Sequence, residues 1–176
     1  ATLFASCSSR HDALEYAYQV AGPNRSELEA VLEHYKSDPL KRAAARFLIE
    51  NMPGHYSYKK NKEIDEYYDI ALQLTRSSLS PKEQRDSLLY LSDNQFFGLD
   101  KEIIEDARII TSEYLIQNID KAFDAWRSER WAQHVTFDEF CEWILPYKCT
   151  ELQSFDCWRD TMRQTFWWNV AHMEYD

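Results

Sequence analysis

Glycine and proline are scarce in this sequence, with three and five copies in 176 residues. That leaves little room for flexible linkers or low-complexity stretches, and no fixed-period repeat is present, so the chain reads as structured almost throughout. So few glycines also leave nothing to build a phosphate cradle or a nucleophile elbow, and G-x-x-x-x-G-K-[ST], G-x-G-x-x-G and G-x-S-x-G are all absent. The five histidines (His11, His34, His55, His134, His172) never fall at H-E-x-x-H spacing. Three of the four cysteines (Cys141, Cys149, Cys157) are eight residues apart, too far for the C-x-x-C arm of a structural zinc site. Neither a metal nor another cofactor is therefore expected. Basic residues are in the minority, 20 Lys and Arg against 30 Asp and Glu for a net charge of -10. That balance argues against nucleic acid as a partner, since phosphate contacts need a concentrated basic face. Lys59, Lys60 and Lys62 form only a short local run, read as a solvated loop. No stretch approaches the 18 or more apolar residues of a membrane span.

What the sequence does have is 44% hydrophobic residues, enough for one core, arranged at helical spacing between recognisable start and stop signals. The reading is all-α: a single multi-helix domain over residues 10–176, packed around a long central helix, after a terminal stretch 1–9. His11 to Val20 forms a first helix stopped by Gly22-Pro23. Ser26 and Glu29 are read as an S-x-x-E cap for a helix carrying Leu28, Val31, Leu32 and Tyr35. Asp38-Pro39 then starts a third, with Leu40, Ala44, Phe47 and Leu48 as its buried set. Short joints make these three antiparallel neighbours. A fourth helix runs from Lys62 through Leu74, and Ser80-Pro81-Lys82-Glu83 opens a fifth. Phe96, Phe97 and Gly98 lie in the following loop, the aromatics read as core plugs. Asp100 is expected to cap the central helix, whose apolar positions run from Ile103 to Trp126. About 25 helical residues would span roughly 38 Å, with a break allowed at Ile110-Thr111-Ser112. Thr136 and Glu139 form a capping box for a short helix whose apolar face is Phe137, Phe140, Cys141, Ile144 and Leu145, ended by Pro146. An aromatic-rich helix from Phe155 closes the chain and needs something to cover it.

Two groups of residues are candidates for ligand binding. His55, Tyr56 and Tyr58 sit on an irregular segment after Met52-Pro53-Gly54, where a ligand surface and aromatics folded back onto the core are both consistent with the sequence. Trp126, Arg127, Arg130 and Trp131 offer either arginine–indole stacking or a platform for a glycan or peptide. Cys141 lies seven residues after His134, a spacing that permits a thiol–base pair, but its place on the apolar stripe assigns it to packing. A Cys141–Cys149 or Cys149–Cys157 bridge requires a chain reversal that the sequence does not specify. Acidic pairs such as Glu63–Glu66 and Glu102–Glu105 have the spacing of a solvated helix face, not that of acids flanking a glycosidic bond. No catalytic residue is therefore assigned.

Three segments, ARFLIENMPGHYSY (45–58), ITSEYLIQNIDKAFDAW (110–126) and FDEFCEWILPYKCTELQSFDCWR (137–159), together resemble the N-terminal helical region of large bacterial secreted or lipoprotein proteins with a transglutaminase-like domain. The resemblance implies a noncatalytic, extracytoplasmic helical module of the bacterial cell envelope that supports or presents a papain-like Cys-His-Asp enzyme domain, its C-terminal partner in the parent protein. The glycine-rich segment of that family's catalytic cysteine does not occur here, so Cys141 does not take over the role. The segment ATLFAS before Cys7 resembles the tail of a bacterial lipoprotein signal. It makes Cys7 a candidate lipidation site and residues 1–6 a processing remnant; an ordinary terminus with an incidental cysteine is the alternative. The alternatives for the whole chain are an autonomous glycan- or peptide-binding module and, third, a thiol hydrolase using Cys141 and His134.

Overall fold

The computed structural model describes residues 5–59, 61–95, 102–151, 153–156 and 158–163, with side chains from residue 13 onward. The fold is all-α. Its helices are α1 (Ala5–Ala21), α2 (Arg25–His34), α3 (Pro39–Glu50), α4 (Lys62–Thr75), α5 (Pro81–Asn94), α6 (Ser112–Ser128) and α7 (Phe137–Trp143). Residues 158–163 are helical as well. Two three-residue strands, β1 (Tyr56–Tyr58) and β2 (Ile103–Glu105), form the one sheet among the described residues. Asp106 N donates to His55 O at 2.9 Å and Lys59 N donates to Glu102 O at 2.8 Å, an antiparallel register that sets Ser57 opposite Ile104.

Within this all-α fold the helices form two compact units. One comprises residues 1–57 and 104–176, the other residues 58–103. Helix α1 begins at Ala5, inside the terminal stretch 1–9.

The larger unit is organised around α6. Tyr114, Leu115, Asn118, Ile119, Ala122 and Phe123 are all buried on it, and α2 and α3 pack against it. This central helix is shorter than the sequence suggests, because Thr111 caps it by accepting from Tyr114 N at 3.2 Å. Residues 103–108 instead form β2 and a 3-10 turn. Apolar spacing alone could not separate the two, since Ile103, Ile104 and Ile110 fit a helical face or a short strand equally well. Asp100 lies outside the described residues.

Several local signals act as expected. Asp38 accepts from Lys41 N at 3.1 Å ahead of Pro39, and Ser80 and Thr136 each form a complete capping box, with Glu83 and Glu139. Gly22 takes φ +57 at the end of α1, a left-handed conformation that favours glycine. The start of α2 differs from the sequence reading. Ser26 is inside the helix, and Glu29 takes Arg25 as its partner at 2.7 Å. The N-cap residue is Asn24, whose side-chain amide donates to Ala107 O and Ile110 O, at 2.9 and 2.8 Å. Those carbonyls belong to the turn after β2, so the Asn24 side chain serves a tertiary contact and makes no cap hydrogen bond to α2. On α3 the buried set is Ala44, Ala45, Leu48 and Ile49, while Leu40 is exposed and Phe47 only partly buried.

The helices of this unit are also tied by polar contacts. Glu27 of α2 accepts from Ser112 N at 2.6 Å, placing an acid at the positive end of α6. Tyr35 donates to Asp120 at 2.8 Å, and Lys41 of α3 reaches the same carboxylate at 2.8 Å. Phe140 of α7 stacks on Trp126 at 4.4 Å and meets Phe123 at 4.7 Å, joining α7 to the central helix.

The smaller unit is the hairpin of α4 and α5. Asn61 caps α4 by accepting from Ile64 N at 2.8 Å. Ile64 and Leu91 are its buried helix residues among those described. Lys59 and Lys62 pair with Glu102 and Glu66, as expected of solvated charges. Lys60, Phe96, Phe97 and Gly98 lie outside the described residues.

Candidate functional site

The site is built on the strip that follows α7. Pro146 has no N–H and holds Leu145 away from helical geometry, so the chain leaves α7 without regular backbone partners. Buried carbonyls still require donors. Side chains from α6 and from the 158–163 helix supply them. Arg159 Nη2 donates to Ile144 O at 2.5 Å and to Pro146 O at 2.8 Å. Asn118 Nδ2 donates to Leu145 O at 2.9 Å, and Tyr114 Oη and Trp158 Nε1 both donate to Tyr147 O, at 2.5 and 3.0 Å. Four consecutive carbonyls are thereby fixed. Arg159 Nε also donates to Asn118 Oδ1 at 2.9 Å, locking the amide that holds the strip.

The far end of the strip is held by a buried charge. Asp106 is fully buried, and its carboxylate accepts from Ser57 Oγ at 2.6 Å and from Tyr147 Oη at 2.8 Å. Lys148 Nζ forms an ion pair with the same carboxylate and donates to Tyr56 O at 2.5 Å. Every oxygen of Asp106 is thus occupied, as a buried carboxylate requires. Burial, reinforced by Asp106, pushes the Tyr147 phenol up, so it remains a donor. This cluster is architecture: it joins residues 55–57, 106 and 147–148 into one rigid corner.

Against this strip lies a surface groove of about 620 Å³. Trp131, Trp143 and Trp158 provide its indoles, and Val135, Ile144 and Pro146 its aliphatic surface. His134, Lys148, Cys149 and Arg159 are its polar members, and none of its described lining residues is acidic. Trp143 is 67% exposed and Trp131 41% exposed. Large apolar rings left open on a rigid frame are the usual form of a recognition surface.

Of the seven binding candidates read from the sequence, Trp131 alone lines this groove. Trp126 is tied to the interior, stacked on Phe140 and donating Nε1 to Val135 O at 2.9 Å. Arg127 lies over the Phe123 ring at 5.0 Å instead of over an indole, and Arg130 is exposed on the 3-10 turn 130–132. His55 is exposed and meets the Tyr147 ring edge-on at 6.4 Å, while Tyr56 and Tyr58 are half-buried in β1. Trp143, Trp158 and Arg159 were not singled out as binding residues by the sequence. The signal available for Trp143 is its position on α7, off the face formed by Phe137, Phe140, Cys141 and Ile144.

Cys141 and Cys149 are both free thiols, so neither sequence-proposed bridge forms. Cys141 is buried, and burial followed by Asp138 and Glu142 pushes its thiol up to about 11. A nucleophilic thiol needs the opposite environment, and His134 is exposed at the groove. Side chains of Cys7 and Cys157 lie outside the described residues. Among the described residues no group of His, Cys, Asp and Glu has a metal-binding arrangement, and no helix is long and apolar enough to cross a membrane. Compared with known proteins, the chain matches no family model, no curated sequence and no solved structure.

Proposed function

We propose that this chain is a noncatalytic helical recognition module that holds an extended peptide in the groove of Trp131, Trp143 and Trp158. The observation that carries this reading is the pairing of half-open and open indoles with a strip whose carbonyls are all tied down. A pre-organised apolar surface loses little freedom on binding, which favours affinity. A peptide suits it better than a glycan. Each sugar hydroxyl taken from water without a partner is costly, and this lining has few polar side chains to meet several hydroxyls. The test is retention of a degenerate, N-acetylated hexapeptide library on the immobilised chain. The double variant Trp131→Ala/Trp143→Ala is expected to retain peptides at least tenfold less while keeping its circular dichroism spectrum. Equal retention by the folded double variant contradicts the reading.

A second reading places the same module in the setting that the resemblance implies, beside a transglutaminase-like enzyme domain outside the cytoplasm of a bacterium. What favours it is that Ile144, Pro146, Lys148, Trp158 and Arg159, from the I-L-P-Y-K and W-R elements of that resemblance, line the groove. The module then presents a peptide to the enzyme domain, or seats a segment of it, and Cys7 is the candidate lipid anchor. In this setting the chain alone has no thiol-dependent amide hydrolase activity. Hydrolysis by the purified chain that disappears on alkylation contradicts it.

A further inference from the structure

Arg159 is a cation with no anionic partner among the described residues. Its Nε and Nη2 donate only to neutral oxygens, those of Asn118, Ile144 and Pro146, and Nη1 has no acceptor among the described residues. The guanidinium also lies over the Trp158 ring at 4.5 Å. Burial holds its pKa down to about 10. The other cation at the groove, Lys148, is already paired with Asp106. In a chain with a net charge of -10, a lining without a described carboxylate is a local exception, complementary to an anionic ligand.

The space around Arg159 is also uneven in size. Trp158 and Arg159 border both the groove of about 620 Å³ and a recess of about 10 Å³ with Tyr114, Asn118 and Asp156. A recess of that size has room for about one water and takes no further residue of a peptide. We infer that the groove takes the C-terminal end of a peptide, with its terminal carboxylate at Arg159 and its last apolar side chains against the indoles of Trp131, Trp143 and Trp158. A charge-assisted hydrogen bond to a carboxylate, formed where water is partly excluded, supplies specificity for a free chain end.

This inference rests on the peptide-binding reading, and the test separates the two by changing the ligand, which avoids disturbing Arg159 and the strip it holds. The wild-type chain is immobilised and offered the N-acetylated hexapeptide library in two forms, free C-terminal acid and C-terminal amide. The acid form is expected to be retained at least tenfold more, with aromatic or aliphatic residues enriched at the last position. Equal retention of both forms overturns the carboxylate assignment and leaves the peptide-binding groove standing. Enrichment of internal Asp or Glu in both forms overturns it in favour of an acidic side chain. Retention of neither form overturns both readings, and a dimer in sedimentation that retains no peptide assigns the groove to a second copy of the chain.

Discussion

Replacing Asp106 with alanine is expected to cost about 3–5 kcal/mol of folding stability, measured by urea denaturation, because it removes one member of a buried ion pair. Three groups lose their acceptor at once: the Lys148 ammonium and the hydroxyls of Ser57 and Tyr147. The Lys148 side chain is only 7% exposed, so its charge cannot turn to water without moving the strip. The cost comes mainly from this stranded charge and less from the lost attraction. Removing both charges should therefore hurt less than the sum of the single changes. The pair Asp106→Asn and Lys148→Met is expected to show a coupling of about 1–3 kcal/mol in a double-mutant cycle. Additive effects would mean that Lys148 finds water or another partner and that the corner is not rigid.

Phe140→Ala is the second large effect, again about 3–5 kcal/mol, since it deletes a fully buried ring and leaves a cavity. Phe140 touches Phe123, Trp126 and Phe137, with ring centroids 4.7, 4.4 and 6.1 Å away. A helix of seven residues has little stability of its own, so α7 depends on this anchor. Its loss should loosen Trp126 and the start of the strip together. Trp143→Ala, three positions further along the same helix, should change stability by no more than about 0.5 kcal/mol, because that indole faces solvent. The contrast separates the aromatic residues that hold the fold from those left open for a ligand. A Phe140→Ala protein within 1 kcal/mol of wild type would contradict the packing described.

These two sites also show what could be read from the sequence. Caps are local, needing only a few neighbouring residues, so Asp38, Ser80 and the Thr136–Glu139 box were all legible before any tertiary information. Pro146 likewise marked the end of α7. The Asp106–Lys148 pair was not legible, because its members are 42 residues apart and only the fold brings them together. A hint existed only for Lys148, which follows Ile-Leu-Pro-Tyr; Asp106 stands in Glu-Asp-Ala-Arg, where nothing singles it out from Glu105 and Arg108. A charge inside an apolar run must find a partner or leave the core. The length of the central helix is hidden in the sequence for a related reason. Isoleucines at 103, 104 and 110 serve β2 and the turn after it as well as they would serve a helix. The groove itself was half legible: Trp131 was picked from its neighbourhood, but Trp158 and Arg159 become groove residues only when they return over the strip.

The proposed peptide groove uses the open indoles and leaves the packed ones to the core. The most direct measurement is a titration of the ¹⁵N-labelled chain with the hexapeptide library, following the indole N–H resonances. Shifts are expected at Trp131, Trp143 and Trp158, with Trp126, whose Nε1 donates to Val135 O, unmoved. Unchanged groove indoles across the titration, or shifts centred on Trp126, would contradict it.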